Sequence, residues 1–215
     1  MLQDDQQVGE ENEVTGLLTT AADAEKKQRK ARVAARWLDG LDWETSVLER
    51  RHYGDIPLLE TDPAIVLTGL DEPDARIKIA GAGFDYMVDA GIGHGPVDFE
   101  GVQVRILKKG VDARLFWTAK AKPKDIERLM QEHAYQVHAK KDTCGTFTLA
   151  EASVAVPFVG AAAGAIAIAQ LLRLGSGLHT NQIMQIDLGA PDMVTFGAMN
   201  EAPSTSAGSL TVTVG

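Results

Sequence analysis

Residues 64–70 (AIVLTGL) form a near-continuous apolar run that stops at Asp71, and Pro73 then opens a segment of helical character. Such a run is expected of a strand covered on both faces, the signature of a parallel sheet with helices above and below it. Proline sits comfortably in a first helical turn, and Asp71, Glu72 and Asp74 place negative charge near the positive end of the helix dipole. Ligands of open parallel sheets lie beyond the carboxyl ends of the strands. Asp71 therefore stands where a binding site is expected.

The remaining elements follow the same alternation. Residues 1–5 predict a strand running into a polar loop. Residues 21–38 predict one helix, with Ala31, Ala34, Ala35 and Leu38 on a single face and Gly40 ending it. Strands are expected over 45–49, 84–89 and 102–107, with a glycine loop (Gly91, Gly93, Gly95) around His94. Helices are expected over 73–80 and 123–140, and a helix or helix pair bent at Pro157 over 149–174. Residues 181–188 and 193–199 read as strands paired antiparallel through the turn at 189–191. Together they predict an α/β fold: a Rossmann-like, mostly parallel sheet flanked by helices, with a C-terminal antiparallel strand pair. One domain over 1–200 is followed by a Ser/Thr/Gly-rich tail, 201–215, with a possible edge strand at 210–214.

Composition narrows the function. The 21 Lys+Arg against 30 Asp+Glu leave a formal charge of -9, which argues against nonspecific nucleic-acid binding. One cysteine excludes an internal disulfide framework and a CxxC zinc knuckle. The acidic N-terminus lacks a signal core, so a cytoplasmic location is expected. Residues 152–169 carry no charge and approach the length of a membrane span, but most are Ala or Gly and give little transfer energy. A buried, closely packed helix is the expectation there. His52, His133, His138 and His179 show no metal spacing, and His94 defaults to a loop residue.

Four segments, in order, resemble the ThiF/MoeB superfamily of ubiquitin-activating-enzyme-like adenylyltransferases. They are Asp4-Asp5-Gln6-Gln7-Val8 with Asn12; Lys30-Ala31-Arg32-Val33-Ala34-Ala35 with Leu38; Leu67-Thr68-Gly69-Leu70-Asp71-Glu72 with Arg76; and Val156-Pro157-Phe158-Val159-Gly160 running to Gly164. The resemblance implies activation of the C-terminal carboxylate of a small ubiquitin-like or sulfur-carrier protein, or of a peptide, with ATP and Mg²⁺. It implies that Asp4 accepts the ribose hydroxyls, Asn12 lies near the nucleotide, Lys30 reaches the phosphates and Asp71 holds Mg²⁺. Arg76 would orient its helix. Cys144, in a loop before a helix and after Lys140 and Lys141, is the candidate for a thioester nucleophile. A homodimer or companion subunit is expected, with neither nucleic acid nor membrane as partner.

Each assignment has a plainer alternative. Asp4 could be an exposed loop acid, Lys30 part of a solvated cationic face, Asp71 a helix cap, and Cys144 a structural thiol. Two departures from the family pattern also bear on activity. The strand, glycine-rich turn and helix expected upstream of Asp4 are not in the sequence. Asn12 is followed by Glu13-Val14-Thr15-Gly16 where the family has the clamp arginine. A noncatalytic ThiF-like partner or fragment that binds protein is the alternative function. A nicotinamide-dependent oxidoreductase would use Asp4 equally well, but no glycine fingerprint is present.

Overall fold

A computed structural model of the chain describes residues 1–52, 58–93, 99–117, 131, 136–137, 156–192 and 194–197. The first part of the chain holds a two-stranded parallel sheet, β1 (Leu2–Gln3) and β2 (Val47–Leu48). Three helices separate these strands: α1 (Asn12–Thr15), α2 (Ala21–Glu25) and α3 (Lys30–Asp39). Residues 21–38 are thus two helices rather than one. Lys27 takes a left-handed conformation (φ 47°). Gln7 forms an antiparallel bridge with Arg29, and Val8 donates its N–H to the Gln28 carbonyl at 2.8 Å. The backbone of 28–30 is therefore used by the loop that follows β1, and the helix cannot run through it. Val8, Ala24 and Val33 close a small core there.

Thr20 starts α2 with a capping box. Its hydroxyl accepts from the Asp23 N–H, and the Asp23 carboxylate accepts from the Thr20 N–H. Arg36 of α3 reaches back with both terminal nitrogens, 2.9 and 3.0 Å from the two Asp23 oxygens. The pair holds α2 on α3.

The larger sheet has five strands in the order β3 (Ile65–Thr68), β4 (Tyr86–Ile92), β5 (Gly101–Lys108), β6 (Ile183–Asp187) and β7 (Val194–Gly197). β3 and β4 are parallel, joined over α4 (Pro73–Ala80); the other neighbours are antiparallel. The β6–β7 pair falls where the sequence placed it, and the antiparallel part begins earlier, at β4–β5. Gly91 and Ile92 extend β4 into the glycine segment that the sequence suggested as loop.

Each face of the sheet has its own core. On one, Met87, Leu107 and Ile183 pack with Ile79 of α4 and with Phe116 and Trp117, which follow a 3-10 turn at Ala113–Leu115. On the other, Val88, Val102, Val104 and Ile106 pack under α5 (Pro157–Gly175) through Val159, Ala163 and Ala167. Pro157 begins α5 rather than bending it. The helix is long and apolar enough to cross a membrane by length and composition, and the sheet covers one of its faces. Phe158, Ile168 and Leu172 on the other face are exposed, so the expectation of a buried helix holds for one side only. The expected helix at 123–140, the start of the 149–174 helix, and the tail lie outside the described residues.

Candidate functional site

β1 ends in the acidic loop that carries two of the sequence-derived candidates to one place. The Asp4 carboxylate accepts from the Gln6 N–H at 2.6 Å, and the Lys30 ammonium donates to the Gln6 side-chain carbonyl at 2.9 Å. The Lys30 N–H also donates to the Gln6 backbone carbonyl at 3.0 Å. Gln6 thus links the acid beyond β1 to the cation at the first turn of α3. Asn12 has a different employment: its side-chain oxygen accepts from the Gly9 N–H at 3.0 Å. That bond folds the loop onto the start of α1.

Asp71 lies at the edge of the larger sheet, three residues beyond the end of β3 and separated from the first residue of α4 by Glu72. It is exposed. The N-cap position of α4 belongs to Glu72, and no side chain caps the helix. The capping alternative for Asp71 is therefore set aside. No group of three or more His, Cys, Asp or Glu side chains that could hold a metal occurs among the described residues. Mg²⁺ does not require one, because it keeps waters and is commonly held by one or two carboxylates with substrate phosphates. A solvent-facing Asp71 at a strand's carboxyl end fits that mode. Cys144, His94, His133 and His138 lie outside the described residues. The His52 ring tilts against Phe84 at 6.3 Å, and the His179 carbonyl accepts from Arg173 at 2.9 Å.

Below the Asp71 turn lies a group of charges that the sequence reading did not assemble. Thr68, Asp89 and Arg105 occupy facing positions on β3, β4 and β5, so their side chains form one row on the α4 face. The Thr68 hydroxyl donates to Asp89 Oδ1 at 2.6 Å. Arg76 of α4 places its Nε 3.2 Å from Asp89 Oδ2. This is an ion pair, although the Nε–H is not aligned as a hydrogen bond. Arg105 donates from Nη1 to the Phe116 carbonyl at 2.7 Å. Both guanidiniums flank the Trp117 ring, Arg76 at 5.9 Å and Arg105 at 5.3 Å.

These charges sit in a low-dielectric setting: Asp89 is 3% exposed and Arg105 is 9% exposed. Burial pushes the Asp89 carboxyl above the ordinary carboxylate range; Arg76, the Thr68 hydroxyl and Arg105 oppose it. Burial also lowers Arg105, to about 10, with Asp89 acting against the fall and Arg76 adding to it. Arg76 was singled out in the sequence as an orienting residue. Asp89 and Arg105 were not. The available signal was a pair of charges inside mostly apolar strand runs, YMVDAGI and VQVRIL, at positions that only pairing shows to be opposite.

The layers and strand pairings define a mixed α/β, ThiF-like fold. MccB of E. coli, in a crystal structure with MccA, superposes with a TM-score of 0.58 at 15% identity, over 95% of this chain and 57% of MccB. PaaA superposes with a TM-score of 0.54 at 11% identity, over 92% of this chain and 63% of PaaA. At the sequence level, residues 1–178 match the family described as the BilD C-terminal domain, and the chain belongs to that family. The bacterial E1-like protein BilD of Collimonas sp. (strain OK412) is 31% identical over 205 residues, which are 94% of this chain and 44% of that protein. The chain therefore spans less than half the length of that relative.

Proposed function

We propose that the chain supplies part of an E1-like adenylation centre of the ThiF/MoeB kind. Its substrates would be Mg²⁺-ATP and the C-terminal carboxylate of a peptide or of a small ubiquitin-like or sulfur-carrier protein. The observation that carries this reading is the meeting of Asp4 and Lys30 on Gln6 at the carboxyl end of β1. An acid there suits ribose hydroxyls, and a lysine at the first turn of the adjoining helix suits phosphates. The kinship with an E1-like protein supports it, as does a structure of MccB holding MccA and AMPCPP, an ATP analogue.

In the reaction, a carboxylate oxygen attacks the α-phosphorus, the bond to the β-phosphate oxygen breaks, and pyrophosphate leaves. Two anions must first be brought together, which calls for cations. Lys30 would offset the phosphate charge. Asp71 would hold Mg²⁺, which supplies the remaining neutralisation when bound. Asn12 would act indirectly, by shaping the loop. Cys144 would then take the acyl group as a thioester, releasing AMP. The location is taken as the cytoplasm, and a homodimer as the working assembly.

Thermal melting with and without Mg²⁺-ATP tests the reading. At about 100 times the dissociation constant, ligand linkage contributes about 2.7 kcal/mol, a rise of roughly 5–10 °C for a domain of this size. A cooperatively melting chain with no rise would count against it.

One observation favours a second reading. Among the described strands, β1 pairs only with β2 and β3 only with β4. In the doubly wound order 3-2-1-4, β2, β1 and β3 would take places three, two and four, and no described strand takes place one. On this reading the chain is a noncatalytic protein-binding module whose sheet is completed by a strand from another segment or subunit. Nucleotide binding only after addition of a companion polypeptide would favour it.

A further inference from the structure

A buried charged network costs stability relative to apolar packing of the same volume. The Thr68–Asp89–Arg76–Arg105 network nevertheless sits within the core formed by Met87, Leu107, Phe116, Trp117 and Ile183. It is also placed at one end of that core. Thr68 is the last residue of β3, and the chain from it reaches Asp71 within three residues. Arg76 lies in the first turns of α4, the helix that Asp71 precedes. On β4, Gly91 follows two residues after Asp89, and a Cβ there would lie 3.4 Å from Arg76 Nη2. Asp89 therefore grips both ends of the segment that carries Asp71: Thr68 before it through one oxygen, and Arg76 after it through the other.

We propose that Asp89 is a positioning residue for Asp71. It acts through Thr68 and Arg76 to fix the turn at 69–72 so that the Asp71 carboxylate meets the metal of a bound Mg²⁺-nucleotide. Arg105, braced on the Phe116 carbonyl, supplies a second positive charge that opposes the effect of burial on the Asp89 carboxyl. This inference rests on the adenylation reading for the identity of the ligand. The mechanical link from Asp89 to the 69–76 segment does not.

The test uses the full chain and the variants Asp89→Asn, Asp89→Glu and Thr68→Val. Binding of ATP is titrated with and without Mg²⁺, and amide exchange is followed over 69–76. Asp89→Asn is expected to weaken Mg²⁺-ATP binding by about tenfold or more, the usual cost of losing a partner that orients a metal ligand. It should leave metal-free ATP binding unchanged and speed exchange over 69–76. Asp89→Glu should restore part of the Mg²⁺-dependent affinity, and Thr68→Val should lose part. Equal losses with and without Mg²⁺, or no loss, would overturn the positioning role. If the unmodified chain binds no Mg²⁺-ATP, the adenylation reading falls and the assigned ligand with it. Unchanged exchange in Asp89→Asn would overturn the link itself.

Discussion

Thr68 and Asp89 face each other across the parallel strand pair of the five-stranded sheet, the hydroxyl of one 2.6 Å from the carboxylate of the other. The same carboxylate holds Arg76 and lies opposite Arg105. Removing it would leave two guanidiniums in the core with no carboxylate between them. Asp89→Ala is therefore expected to cost about 3–5 kcal/mol in urea unfolding, the scale for breaking a buried ion pair from one side.

The Asp89 carboxyl should titrate above the ordinary carboxylate range in a carbon-detected NMR titration, because burial outweighs its cationic neighbours. A carboxyl raised on folding binds more protons in the native state than in the unfolded one. Its contribution to stability is full below the unfolded value near 3.8 and is lost as pH rises through the folded value. A midpoint at or below 3.8 would refute the balance of forces described for this cluster.

Asp23 has the opposite sign. Hydrogen bonds from Arg36 and Thr20 hold its carboxyl down at about 2. Its contribution is present above the unfolded value of 3.8 and is lost as pH falls toward 2. Asp23→Asn should cost about 1–2 kcal/mol near neutrality, through the helix cap and the pair with Arg36. The variant should lose less stability than the parent between pH 4 and roughly 2. Equal acid profiles would show that another carboxylate governs that limb.

Asp71 is exposed and caps nothing. Asp71→Ala should leave the unfolding free energy without ligand unchanged to within about 0.5 kcal/mol, and the melting temperature nearly so. The rise produced by Mg²⁺-ATP should disappear. A rise that persists would remove Asp71 from the metal role. In a chain that activates its substrate, Cys144→Ala should spare pyrophosphate exchange and abolish any thiol-sensitive adduct.

Gly164 lies on the exposed side of α5, and a Cβ there would meet nothing within 4 Å. Gly164→Ala should stabilise an isolated chain by about 1 kcal/mol, the helix-propensity difference. Destabilisation at high protein concentration alone would show a second chain packed against that face.

The sequence alone placed most of the elements. Apolar runs located β3 and β5, Pro73 marked the first turn of α4, and the turn at 189–191 announced the β6–β7 pair, whereas Pro157, expected as a bend, instead begins α5. These signals are local, because strand hydrophobicity and helix starts depend on near neighbours. The break between α2 and α3 was not legible, since it depends on the loop at 6–8 taking backbone partners from 28–30. The order of Asp4, Lys30 and Asp71 along the chain was readable. That Gln6 joins the first two, and that Glu72 rather than Asp71 holds the cap position of α4, was decided by the fold. The Asp89 network belongs wholly to the tertiary structure. Its members come from β3, α4, β4 and β5, and each is an unremarkable polar residue in its own segment. Strand register sets Thr68, Asp89 and Arg105 side by side, and burial then turns their proximity into an electrostatic constraint.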